Sequence, residues 1–135
     1  MSLKERYLRN VVKLSEIYGY YIEKEVGTIE DVSSCQIKYL SVISEYEKIT
    51  LSDVAKRLNI TKPSANAIIN KLINLNYVRK EQSEDDKRQY FLYIDKKGEK
   101  ALKQLNQAHE NFVNHMIEKL GEKDFQKLVE LIEKV

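Results

Sequence analysis

Two helix-start signals follow one another closely in the middle of the chain, and only one kind of unit fits them. Thr50 with Asp53 is a capping box ahead of Leu51, Val54, Ala55 and Leu58, which predicts a short helix from about Leu51 to Leu58. Asn59 then turns the chain, because asparagine tolerates left-handed backbone angles. Thr61 is the next N-cap, with Pro63 in a first turn where a missing N–H costs little, and it predicts a helix over 62–75. The apolar side of that helix is Ala65, Ile68, Ile69, Leu72, Ile73 and Leu75, and Asn76 supplies the stop. A short helix, a tight turn and a second helix make a helix-turn-helix.

The flanks are longer helices and one hairpin. From Leu3 to Val26 apolar residues recur at spacings of three and four until Gly27, which predicts a long amphipathic first helix. Ser33 with Gln36 opens a second helix, expected to end near Glu47. Val78 to Gln82 and Arg88 to Ile94 read as two strands, with Tyr90, Leu92 and Ile94 alternating onto one face. The tip between them, Ser83 to Lys87, is polar throughout and reads as an exposed loop that does no packing. Asp95 caps a fifth helix that Gly121 breaks, and a sixth runs from about Glu122. The predicted fold is mainly α with a small β-hairpin, a winged helix-turn-helix carrying long terminal helices.

The formal net charge is only +2, but it is unevenly placed. Residues 55–80 contain Lys56, Arg57, Lys62, Lys71, Arg79 and Lys80 and no carboxylate, while both flanks are slightly acidic. Such a stretch suits a surface that faces a polyanion, or else a solvated helical face whose counter-charges lie elsewhere in the fold.

A helix entering a DNA major groove about 12 Å wide needs slim, hydrogen-bonding residues at its exposed N-terminal positions. Thr61, Lys62, Ser64, Ala65, Asn66 and Asn70 meet that need, and the helix N-terminus favours a phosphate. Asn66 is the leading candidate for a base contact, since an amide pairs bidentately with adenine. It reads equally as an asparagine that faces water. Lys71, Arg79 and Lys80 are candidate phosphate anchors. Lys87 and Arg88 are placed to enter a minor groove, with Asp86 orienting the arginine, although an ordinary charged turn has the same composition.

Leu51-Ser52-Asp53-Val54-Ala55-Lys56-Arg57-Leu58-Asn59-Ile60, then Lys71-Leu72, Tyr77-Val78-Arg79-Lys80, Asp86-Lys87-Arg88 and Ile94-Asp95-Lys96-Lys97-Gly98 together resemble the MarR family of bacterial and archaeal transcriptional regulators. The resemblance implies a homodimer on pseudo-palindromic double-stranded DNA, with residues 31–94 as the reading lobe and residues 1–30 and 95–135 as dimerisation helices. It implies the helix at 62–75 in successive major grooves and Arg88 at the minor groove. Asn59 and Asn76 stand where glycine is frequent in the family and Asp95 where threonine is usual, and each can serve the same turn or cap. Relatives are released from DNA by phenolic or lipophilic acids, or respond to thiol oxidation or metal. The sequence does not select among these.

Dimerisation also follows from the residues. The terminal helices hold more apolar side chains than a winged domain of this length covers alone, and pairing two chains buries them. Two recognition helices then lie about 34 Å apart, one turn of duplex. A single larger monomeric core is the competing arrangement.

Other chemistries are poorly supported. Cys35 is the only cysteine, so no internal disulfide or cysteine-based zinc cluster can form, and it reads as a small core residue. His109 and His115 fall on different faces of one helix, which argues against joint metal ligation. Gly19, Gly27, Gly98 and Gly121 are too dispersed for a phosphate-cradling loop. No catalytic group, cofactor or metal site is assigned. No apolar run approaches the roughly 20 residues of a membrane span, and a cytoplasmic protein is expected. The expectation is a regulator, a repressor by preference, that a small effector releases from its operator. The alternative is a winged-helix adaptor that binds proteins.

Overall fold

The computed structural model describes residues 1–135. Six helices and one hairpin follow in the order α1 (Leu3–Val26), α2 (Ser34–Ser44), α3 (Leu51–Leu58), α4 (Lys62–Asn74), β1 (Val78–Gln82), β2 (Tyr90–Ile94), α5 (Lys96–Leu120) and α6 (Glu122–Ile132).

The capping signals act where the sequence puts them. Ser2, Ser33 and Thr50 each close a capping box, with Glu5, Gln36 and Asp53 returning a bond to the cap backbone. Asn59 and Asn76 hold φ at 54° and 67°, so asparagine does the work of glycine at the ends of both short helices. β1 and β2 pair antiparallel, with Val78 opposite Ile94 and Gln82 opposite Tyr90. The Leu92 N–H donates to the Ile49 carbonyl at 2.9 Å, which fastens the hairpin to the segment ahead of α3.

One core runs through the lobe and out along α5. Ile37, Leu40, Ile43, Ile49, Val54, Leu72 and Val78 are fully enclosed, and Ala101, Leu105 and Ala108 of α5 close the far side. α1 lies along α5. Tyr18 Oη meets His109 Nε2 at 2.9 Å, and Tyr21 Oη meets His115 Nδ1 at 3.1 Å. The two histidines thus each serve a tyrosine of α1, and no group of three or more His, Cys, Asp or Glu side chains is gathered as a metal site.

Four local expectations need correction. α2 ends at Ser44 rather than Glu47, because the Ser44 hydroxyl donates to the Ser41 carbonyl at 2.7 Å and Glu45 caps the helix. β2 begins at Tyr90, since Arg88 and Gln89 belong to a turn closed by the Gln89 N–H on the Asp86 carbonyl at 2.9 Å. Ser83 is buried, and its hydroxyl accepts from the Asp86 N–H at 3.3 Å, so one end of the tip does pack. Cys35 is exposed, one turn ahead of the residues that α2 turns inward, and is no part of the core.

Candidate nucleic-acid interface

The apolar residues of α4 decide which way its polar ones point. Ala65, Ile69 and Leu72 are buried, and with about 100° per residue they fix the inner side of the helix. Ala65 is 0% exposed, so the expectation that it meets a ligand is wrong: the small residue facing outward is Ala67. Both alanines are slim enough for a groove, and only the helix phase separates them. Thr61 and Ser64 first serve the helix. Thr61 Oγ1 accepts the Ser64 N–H at 3.2 Å and donates to Ser64 Oγ at 2.8 Å.

α4, the start of α3 and the inner face of the hairpin enclose a groove of about 440 Å³. Lys62, Asn66 and Asn70 line it from the helix, and Lys80, Arg88, Gln89 and Tyr90 from the hairpin. Thr50, Ser52 and Asp53 line it from the start of α3, over apolar side chains that include Ile69, Ile73 and Leu92. Gln89, Tyr90, Thr50 and Ser52 were not singled out from sequence as contact residues: Thr50 was read only as a helix cap and Tyr90 only as a strand residue, and the folding of the hairpin against α3 brings all four to the groove. The Lys80 ammonium lies 4.6 Å from the centre of the Tyr90 ring, which props it along the groove.

The wing tip is braced by its own backbone. The Ser83 N–H donates to the Gln89 carbonyl at 2.8 Å, and Gln82 Nε2 donates to the Lys87 carbonyl at 2.7 Å. Asp86 Oδ1 accepts from the Arg88 N–H at 3.0 Å and from Arg88 Nε at 3.2 Å. The Arg88 backbone bond, then its guanidinium, hold the Asp86 carboxyl below its ordinary range. The Arg88 side chain is nonetheless 92% exposed, so its root is fixed while its charge projects into solvent. Lys87 beside it is exposed too.

Other predicted contacts lie outside the groove. Arg79 occupies the opposite face of β1 from Lys80 and donates from Nη1 to the Ile94 carbonyl at 2.9 Å and from Nε to Glu81 at 3.0 Å. Lys71 sits on the far flank of α4, where Nζ donates to Gln36 Oε1 at 2.9 Å at the start of α2. Arg57 lies 3.6 Å from Glu45. Of the six central cations only Lys62 and Lys80 line the groove, joined there by Arg88 of the wing, while Lys56, Arg57, Lys71 and Arg79 lie outside it.

The reading lobe matches the sequence model of the MarR family over residues 31–89. The HTH-type transcriptional regulator BilQ of Clostridioides difficile (strain CD3) is 25% identical over 91 residues, 67% of this chain and 62% of that relative. The chain thus spans less than two thirds of the length of that curated relative. Among solved structures, Streptococcus pneumoniae FabT in complex with DNA aligns with a TM-score of 0.79 at 23% identity, over 95% of this chain and 93% of that one. Wild-type MarR from E. coli, in its apo form, aligns at 0.74 and 17% identity over 99% and 96%. Residues 31–89 thus resemble the MarR family, and the fold is shared over nearly the whole chain with these structures.

Proposed function

We propose that this protein is a sequence-specific DNA-binding transcriptional regulator that acts as a homodimer on a pseudo-palindromic operator. One observation carries the reading. Lys62, Lys80 and Arg88 stand around a groove that also presents the Asn66 and Asn70 amides, so phosphate anchors and base-reading groups share one surface. The similarity to FabT, solved with DNA, supports the same use of this surface.

The dimer is supported by what one chain leaves uncovered. Leu3, Tyr7 and Leu8 of α1 are 77%, 70% and 64% exposed, and Leu131 and Ile132 of α6 are 50% and 57% exposed. Apolar side chains at helical spacing on both termini favour burial against a second copy. Two-fold pairing of this kind sets two α4 helices about one duplex turn apart.

Repression by operator occupancy and release by a small lipophilic or phenolic acid belong to the same reading. A cleft of about 390 Å³ between α1, α2 and α5, lined by Tyr18, Ile22, Cys35, Leu105 and His109, has the size and the mixed lining that a small effector needs. An effector there would shift affinity by favouring one spacing of the two reading helices.

The test is titration of the purified protein against selected and random duplexes at increasing salt. A binder that neutralises several phosphates loses affinity steeply, with a log–log slope near −0.9 for each contact. A flat salt response, with tight association to a protein partner, would establish the adaptor reading instead.

A further inference from the structure

The outward side of α4 carries an informative absence. Opposite the buried Ala65, Ile69 and Leu72 stand Pro63, Ala67, Asn70 and Asn74, all exposed and none charged. In a major groove, guanine offers two acceptors, O6 and N7, and is matched best by arginine or lysine. No arginine of this lobe stands on that side of α4. Arg57 pairs with Glu45, Arg79 is bonded to Glu81 and the Ile94 carbonyl, and Arg88 belongs to the wing. The two lysines of α4 flank that side. Lys62 faces the groove and a neighbouring cleft beside α3, and Lys71 is held by Gln36.

What remains on the face has its own complement. An asparagine amide both donates and accepts, which fits the N7 acceptor and N6 donor of adenine, whereas its carbonyl meets another acceptor at guanine O6. An alanine methyl fits against the C5-methyl of thymine. Arg88 points the same way, because the minor groove of A·T tracts is narrow and strongly negative.

We propose that α4 is built to read A·T pairs, with the Asn70 amide on adenine and the Ala67 methyl on a thymine methyl, so that the centre of each operator half-site is A·T. This inference rests on the DNA-binding reading above and names its substrate class. Base-side substitutions test it without disturbing the protein. Inosine·cytosine shows a guanine-like major-groove edge and an A·T-like minor groove, while diaminopurine·thymine does the reverse.

The purified full-length chain is first used to select duplexes from a random-sequence library, and the analogues are then placed in the selected site. Under α4, inosine·cytosine should weaken binding about tenfold or more while diaminopurine·thymine binds like the parent, and under the wing the two effects should exchange. Deoxyuridine in place of the thymidine facing Ala67 should weaken binding a few-fold. Asn70→Ala, at an exposed position, should abolish the inosine·cytosine penalty at one symmetric pair of positions. Selection of G·C at the half-site centres, or indifference to inosine·cytosine under α4, overturns the inference while leaving DNA binding intact. Selection of no duplex at low salt overturns the DNA-binding reading and this inference with it.

Discussion

The Tyr77 hydroxyl donates to Asp31 Oδ1 at 2.6 Å, which ties the residue leading out of α4 to the loop that enters the reading lobe. Lys97 of α5 completes the joint. Its ammonium donates to Asp31 Oδ2 at 2.8 Å and lies 4.8 Å from the centre of the Tyr77 ring. The Asp95 N–H closes the other side on the Tyr77 carbonyl at 3.0 Å. Three segments far apart in sequence therefore meet where the wing leaves the reading helix. A shift of α5 relative to the lobe must break these bonds or carry the base of the wing with it.

Tyr77→Phe isolates the first of these bonds. The Lys97 and Tyr77 hydrogen bonds hold the Asp31 carboxyl below its usual range, while burial, then the bond to Asp31, pushes the Tyr77 hydroxyl up to about 12. A phenol whose folded pKa is raised contributes stability that is complete below its unfolded value of about 10 and is lost as pH climbs towards 12. Urea midpoints at neutral pH should place the phenylalanine variant below wild type by about 1–2 kcal/mol. The gap should narrow between pH 10 and 12. A gap constant across that range would mean the hydroxyl is not bonded to a carboxylate.

Two glycines should respond oppositely to alanine. A Cβ on Gly98 would collide with the Tyr77 carbonyl oxygen and with Ile94 Cγ2, and backbone cannot swing aside as a side-chain tip can. Gly98→Ala should cost about 1–3 kcal/mol, as overpacking does. A Cβ on Gly19 meets nothing within 4 Å, and Gly19 lies inside α1. Gly19→Ala should therefore stabilise by up to about 1 kcal/mol through helix propensity. Thermal melts of the two variants against wild type check both signs.

Local grammar explains why so much was legible. Caps, asparagine turns and the alternation in β2 act over a few residues, so Thr50 with Asp53, Thr61, Asn59 and Asn76 all stand in their predicted roles. The groove was only partly legible because membership depends on helix phase and strand side. Ala65 and Ala67 look alike in sequence yet face opposite ways, and Arg79 and Lys80 are neighbours on opposite faces of one strand. Nor does composition reveal that Tyr18 meets His109 or that Gln36 holds Lys71, since those pairings appear only once distant helices pack.

The apolar face of α1 should govern assembly. Wild type should sediment at twice the 15.9 kDa chain mass. Leu8→Glu places a charge in the proposed seam at a site exposed within one chain, so the single subunit should stay folded. That variant should sediment as a monomer and lose most operator affinity, because one half-site supplies half the contacts. Unchanged sedimentation would move the interface elsewhere.

Arg88 offers the sharpest test of the wing. Asp86 holds the Arg88 backbone N–H and one side of its guanidinium while the side chain stays exposed to solvent, so substitution should leave the fold intact. Arg88→Ala should weaken operator binding by roughly tenfold to a hundredfold, since a lost specific contact costs about 1–3 kcal/mol. Arg88→Lys separates charge from shape. A lysine restores the cation and hence most of the salt dependence, but not the flat fork that fits a narrow groove or the paired bonds to Asp86. Fluorescence anisotropy across a salt series should therefore find the lysine variant parallel to wild type in slope yet weaker at every salt. Full recovery of affinity by lysine would mean that Arg88 serves as a phosphate anchor and that the minor groove is not read through its guanidinium.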